Sequence, residues 1–338
     1  MEYRYIGRTG LRVSPICLGT MTFGSQCDEK AAFAIMDKAY DNGVNFFDTA
    51  ELYPVPPSSD LCGLTEEMVG RWLKTKPRES VILATKVAGA ASGWFVPPIR
   101  HGFTACDRFH IERAIEGSLK RLGTDYIDLY QMHWPDTIVP IEETMKVMDA
   151  LVQSGKVRYI GTSNDTARGT MKSLMVSKYE RLARFESIQN NFSLLNRRDL
   201  TEIGALCREE KISLLPYSPL GGGILSGKYN QASGAQGRFS DYINSTNKRQ
   251  RLMAARFLND KTLASTQEYL RIAAVHGLDP VTMAIAWSKQ FDFVASTIIG
   301  ATTPEQLDAS LAAMNVTLSA EVLKDLDAVH AKILYPMG

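Results

Sequence analysis

Short apolar runs recur along the chain, each followed by a longer stretch with helical periodicity. The runs at 15–18, 45–48, 81–85, 127–132, 159–162, 187–189, 213–216 and 296–299 are rich in Ile, Val, Leu and Phe and do not alternate cleanly. That pattern predicts strands buried on both faces, as in a parallel sheet. Between them, residues 28–42 place Ala32, Phe33, Ile35, Met36 and Ala39 on one side and stop at Asn42-Gly43. A glycine at that point accepts the left-handed conformation that ends many helices. Helices are likewise predicted over 64–74, 108–122, 141–154, 167–182, 199–211, 263–276, 281–290, 304–314 and 319–332.

Eight strands alternating with helices predict an α/β fold of the (β/α)8 barrel type, a TIM barrel. Residues 2–14 read as a small N-terminal β-hairpin ahead of the first barrel strand, and helices beyond the eight units extend the C-terminal part. The strand ends fall near residues 19, 48, 86, 133, 163, 190, 217 and 300. The last interval is long and includes a polar stretch, 230–247, expected to be a surface loop. No composition break divides the chain, so one domain over 1–338 is expected.

Composition narrows the function classes. The 338 residues carry 38 Lys+Arg against 37 Asp+Glu, a net charge of +1, with 45% hydrophobic residues. Such balance argues against a nucleic-acid binder or a polybasic membrane binder. There is no apolar leader pattern and no run of about 18 apolar residues, so a cytoplasmic protein without a membrane partner is expected. The cysteines at 17, 27, 62, 106 and 207 show no Cys-x-x-Cys pair, and the histidines no metal-ligand spacing. Neither a disulfide framework nor a metal site is expected.

Function in such barrels gathers at the C-terminal ends of the strands. Here those ends carry Asp48 and Tyr53, Lys86, and His133. Alone, such an Asp reads equally as a helix cap, and such a Tyr or His as a packed residue. Together they suit proton transfer. A phenol has a pKa near 10 and donates poorly, and an adjacent ammonium lowers that value. Lys86 supplies the charge, Asp48 holds it protonated, and His133 positions a carbonyl. The set fits protonation of an oxygen that turns negative as hydride reaches carbon.

The segments Asp48-Thr49-Ala50-Glu51-Leu52-Tyr53, Thr85-Lys86, Gln131-Met132-His133, the run from Leu119 to Leu129 and the run from Gly155 to Asn164 resemble the aldo-keto reductase superfamily. The branch resembled contains potassium-channel β subunits and bacterial reductases, and the similarity spans about residues 2–330. It implies a catalytic tetrad of Asp48, Tyr53, Lys86 and His133, with Tyr53 as general acid/base.

No Gly-x-Gly-x-x-Gly occurs, so a Rossmann-type nucleotide site is unsupported. The stretch 222–229 nearly matches a P-loop but ends in Tyr229, where a Mg²⁺-binding Ser or Thr belongs. Its glycines read either as a flexible loop or as backbone N–H groups around a pyrophosphate, with Lys228 adding charge. The resemblance implies that Tyr217 stacks on a nicotinamide, within Tyr217-Ser218-Pro219-Leu220, and that Ser163, Asn164 and Gln189 hold its carboxamide. Gly19, Thr20, Met21 and Asp48 are expected beside it, with Gly222 at the pyrophosphate. It further implies that Gly300, Thr302, Gln306 and Ser310 receive the adenosine 2′-phosphate and adenine. The chain departs from many relatives in having Ala309-Ser310 in place of Glu-Asn, and in lacking a basic residue from 298 to 306. Lys228 and Arg238 are the compensating cations. NADP(H) is the expected cofactor, NAD(H) the alternative.

Phe23, Tyr53, Trp94, His133 and Trp134 are expected to form an aromatic pocket, partly from the long segment 87–107. It suits apolar aldehydes or ketones, while Arg100 and His101 offer contacts to an anionic substrate. The leading expectation is therefore an oxidoreductase reducing small carbonyl compounds to alcohols. A nucleotide-sensing interaction protein and a Schiff-base enzyme built on Lys86 are the competing readings. Oligomeric state is left open.

Overall fold

A computed structural model describes residues 2–91, 96–231 and 237–337. Two short strands, β1 (Arg4–Tyr5) and β2 (Arg12–Val13), pair antiparallel as the expected hairpin. Eight strands follow: β3 (Ile16–Gly19), β4 (Phe46–Asp48), β5 (Ile82–Val87), β6 (Ile127–Met132), β7 (Val157–Ser163), β8 (Phe185–Gln189), β9 (Ser213–Leu214) and β10 (Thr297–Ile299). All are parallel, in the order β10-β3-β4-β5-β6-β7-β8-β9. Backbone bonds join the two ends of this sheet. Leu214 N donates to Phe293 O at 2.8 Å and Ile298 N to Pro216 O at 2.7 Å. The sheet thus curls into a (β/α)8 barrel, and the expected fold class holds.

Inward-pointing Cys17, Phe46, Ala84, Leu129, Leu215 and Ile298 fill the barrel, and Ile6, Leu11 and Val13 of the hairpin join that cluster as a plug. Gly7 sits in the plug at φ 53, where a Cβ would lie 2.6 Å from Glu186 O. Outside, a larger apolar layer binds the strands to the helices.

The connecting helices start where short polar side chains satisfy the first free N–H groups. Asp28 caps α1 (Glu29–Asp41), Asp107 caps α3 (Arg108–Leu122) and Thr166 caps α5 (Ala167–Glu180). Between them lie α2 (Leu64–Leu73) and α4 (Ile141–Gln153), and α6 (Glu202–Glu210) follows. Every one of these occupies a predicted helical stretch.

The interval before β10 differs from expectation. The stretch 230–247, expected to be a loop, contains α7 (Arg238–Ile243), and α8 (Lys248–Phe257) follows it. Phe239 and Phe257 stack at 4.8 Å between ring centroids and anchor the two helices. α7 is too short to show a periodic stripe, and α8 opens Lys-Arg-Gln-Arg with few apolar positions. One aromatic from each therefore supplies the packing that local pattern does not advertise. Then come α9 (Asp260–Val275), α10 (Pro280–Lys289), α11 (Leu307–Ala312) and α12 (Ala320–Lys332). The predicted helix 304–314 is split, with 3-10 turns flanking α11. Among the described residues, no helix is long and apolar enough to cross a membrane.

Candidate active site

Asp48 closes β4 and Lys86 lies near the end of β5, both facing into the barrel mouth. The Lys86 ammonium donates to Asp48 Oδ1 and, at 2.8 Å, to Thr49 O. The other carboxylate oxygen, Oδ2, accepts from Gln189 Nε2 at 2.9 Å and Gln131 Nε2 at 3.2 Å. Lys86 has no exposed surface and Asp48 is almost as deeply buried. Two ions this deep persist only when paired and fully hydrogen-bonded. The two glutamine amides complete the carboxylate's shell.

Tyr53 follows β4 on a turn and is 9% exposed. The Lys86 Nζ lies 5.1 Å from its ring centroid. His133 packs edge-on at 5.6 Å, and Trp134 tilts against His133 at 5.1 Å. The four expected catalytic residues therefore meet at one mouth.

Burial is the largest influence on Tyr53 and pushes its phenol above 10.0, with Lys86 pulling only part of the way back. This corrects the expectation of a net lowering. Asp48 neutralises most of the charge that Lys86 would otherwise project. Burial also works against the Lys86 cation, but Asp48 and Tyr53 outweigh it and raise the amine above 10.5. An amine held charged by a buried carboxylate is a poor Schiff-base nucleophile, which counts against that reading. His133 is held well below 6.5 by burial, then by Lys86, and is a neutral imidazole. Its Nδ1 is buried without a partner among the described residues.

A second group lies along β7 to β10. Ser163 Oγ donates to Gln189 O at 2.8 Å. Asn164, at φ 55, donates to His133 O at 2.8 Å and accepts from the Tyr217 hydroxyl at 2.7 Å. This ties the Tyr217 ring to the backbone of His133. Ser218 is also left-handed, at φ 53, while Pro219 is buried and Leu220 half-buried. Gly221, Gly222 and Gly223 follow at positive φ, which lets the turn present its backbone. Lys228 Nζ and an Arg238 guanidinium nitrogen lie 3.3 and 3.0 Å from where side chains at Gly223 and Gly222 would begin. No carboxylate pairs with either cation among the described residues. Burial lowers both cations, and Arg238 lowers Lys228 further.

The remaining expected residues fall in varied places. Gly19 fits tightly under Ile298, where a Cβ would meet it at 2.8 Å. Thr20 is fully buried and bonds to Asp48 O, and half-buried Met21 gives its carbonyl to Val55 N. Gly300 faces open space, and Gln306 Oε1 accepts from Thr302 N at 2.9 Å. Ser310 is buried and turned toward Gln306 O. Phe23 has no exposed surface and belongs to the core. Trp134 borders the mouth, its indole N–H on Ala90 O at 2.9 Å. Trp94 lies outside the described residues.

Sequence reasoning assigned no site role to Gln131 or Glu51. Arg100, expected to be open to an anionic substrate, instead grips Glu51 with two bonds of 2.7 and 2.8 Å. Only the position of Gln131, two residues before His133 on the same strand face, signalled its direction.

Comparison with known proteins agrees with this geometry. The sequence pattern of the aldo/keto reductase family matches residues 15–331. The chain is 40% identical to the protein named "Protein tas" of Escherichia coli K12, covering 99% of each. It is 37% identical to "Uncharacterized oxidoreductase YrpG" of Bacillus subtilis, covering 97% of this chain and 96% of that one. It is 33% identical to "Probable voltage-gated potassium channel subunit beta" of Oryza sativa, with the same coverage. The chain belongs to the aldo/keto reductase family of oxidoreductases.

Proposed function

We propose that this protein reduces aldehydes or ketones to alcohols with NADPH, Tyr53 serving as the general acid. The observation that carries the reading is the buried Asp48–Lys86 pair beside Tyr53, with neutral His133 edge-on. A reduced nicotinamide bound at this mouth supplies the hydride.

The residues present fit such a cofactor. Tyr217 offers a ring and Asn164 an amide bonded to its hydroxyl, while the Gln189 amide stands at Asp48. The glycine turn fits a pyrophosphate or a 2′-phosphate, with Lys228 and Arg238 beside it and without a carboxylate partner among the described residues. The buried Arg238 Nε has no partner among the described residues, as expected of a group that awaits an anion. Two cations in one place favour NADP(H) over NAD(H), because the extra phosphate adds charge for them to meet.

The protein's own residues do the proton work. Neutral His133 donates an N–H to the carbonyl oxygen and fixes its direction. Tyr53, protonated at neutral pH, gives its proton to that oxygen as negative charge develops. Lys86, kept charged by Asp48, stabilises the phenolate left behind. Trp134 and the aromatic edge of Tyr53 suit an apolar, uncharged substrate. The test is NADPH oxidation with a panel of aromatic aldehydes, comparing wild type with Tyr53→Phe. Loss of a general acid costs about 10²–10⁴-fold in kcat, and equal turnover overturns the role.

The name of the Oryza sativa relative favours one second reading, a nucleotide-sensing interaction protein. Tight NADPH binding with negligible turnover across the panel, and a stable protein partner, would favour it instead.

A further inference from the structure

Glu51 stands on the turn that carries Tyr53, and its contacts reach the end of β5 and the connection that follows it. Its backbone N–H donates to Lys86 O at 3.3 Å. Its Oε1 accepts from Ala88 N at 2.7 Å, just past the end of β5. Both carboxylate oxygens then take the Arg100 guanidinium. Glu51 is 4% exposed. The buried carboxylate is therefore satisfied on both oxygens, and by a planar fork that only arginine provides.

Arg100 lies midway along the connection between β5 and α3. Its backbone is left-handed at φ 47, and His101 and Gly102 follow at 55 and 78. Two consecutive non-glycine residues in that region are strained, and such strain persists where surroundings over-determine it. The same connection is tied at its start by Trp134 on Ala90 O, and at its end by Cys106 N on Asp136 Oδ2 at 2.9 Å. The Glu51 contact is the charged tie between these two.

We infer that the Glu51–Arg100 pair is a positioning device that locks residues 96–107, the described second part of the β5–α3 connection, against the Tyr53 turn and so holds the carbonyl pocket in place. The inference rests on the proposed reductase reading, but its first consequence does not. Breaking the pair leaves a buried charge without its partner and left-handed residues without their restraint. Residues 96–107 then loosen, the turn that carries Tyr53 loses a restraint, and the carbonyl substrate is held less well. Nucleotide affinity stays put, because the Glu51 and Arg100 side chains bond to none of the candidate cofactor residues.

Arg100→Met and Glu51→Gln test this, with Arg100→Lys as the conservative variant. Glu66→Gln is the structural control. It breaks an equally buried pair, Glu66 with Arg121 at 2.7 Å, on the α2–α3 side. Hydrogen exchange over 96–107 is expected to quicken about tenfold in Arg100→Met and Glu51→Gln but not in Glu66→Gln. KM for a neutral aromatic aldehyde should rise about tenfold with kcat within about threefold, and the Kd for NADPH should not move. Arg100→Lys, with a single ammonium, should fall between. Unchanged exchange in folded variants overturns the proposal. Faster exchange with unchanged KM also overturns it, since the pair is then merely a structural tie. If wild type reduces no carbonyl compound, the reductase reading falls and takes the KM consequence with it, while the exchange result still decides the locking itself.

Discussion

Asp48 receives four contacts from four different segments: its side chain meets Lys86, Gln131 and Gln189, and its carbonyl meets Thr20. That saturation explains why Lys86 stays charged yet does not bring the Tyr53 phenol below its usual value. A pH prediction follows. Tyr53 is raised above 10.0 and His133 lowered well below 6.5. Neither changes protonation between those values, so kcat for reduction should be flat from about pH 6.5 to 10 in a stopped-flow or steady-state profile. An ionisation from either residue inside that window contradicts it. Asp199 gives a second prediction. Burial raises it from 3.8 to about 6, and its Oδ2 has no partner among the described residues. A raised acid favours the folded state while protonated, so its contribution is lost as pH climbs through about 6. That rise corresponds to roughly 3 kcal/mol at most. Asp199→Asn should therefore raise Tm at pH 8 and leave it nearly unchanged at pH 4. The tetrad was legible because strand ends in an alternating pattern mark a mouth, and four complementary residue types fell there. Glu51 and Arg100 were not, because their partnership depends on how a long connection folds back. Phe23 sat at a strand end like the others, yet nothing in its spacing announced that its ring turns into the core.

Elements with strong periodicity behaved as read. The helices from α1 to α6 carry apolar stripes long enough to fix their existence, and in α1, α3 and α5 a polar cap fixes the start. The glycine turn and α7 were harder. A row of glycines has no side-chain pattern, and its meaning comes from Lys228 and Arg238 being folded over it. These cations supply the prediction at this scale. Arg238→Met should weaken NADPH binding by about 10- to 100-fold, since one charge-assisted contact is worth about 1.5–3 kcal/mol. NADH affinity should suffer less if the 2′-phosphate is what Arg238 meets. The readout is quenching of Tyr or Trp fluorescence on titration, and equal losses for both nucleotides would assign Arg238 to the pyrophosphate instead.

Across the whole molecule, a net charge of +1 provides no general attraction for an anionic dinucleotide. Affinity must arise locally, which the two cations and the backbone of the glycine turn can supply. The hairpin plug matters to stability at this scale. Gly7→Ala would force a Cβ against Glu186 at a left-handed position. Strain of about 1–2 kcal/mol or more is expected, seen as a lower urea midpoint with an unchanged m-value.

The joint between β9 and β10 has a consequence for the chain as it is made. β3 finds one neighbour early, in β4, but its other edge waits for residues 297–299, and the outer edge of β9 waits with it. At 5–20 residues per second, the growing polypeptide carries two open edges for roughly 4–17 s after residue 217 emerges. Unpaired edges recruit other strands. Ribosomes stalled anywhere in that interval would release an uncapped sheet, so this protein's yield should depend on chaperone supply during synthesis more than on the stability of the finished barrel.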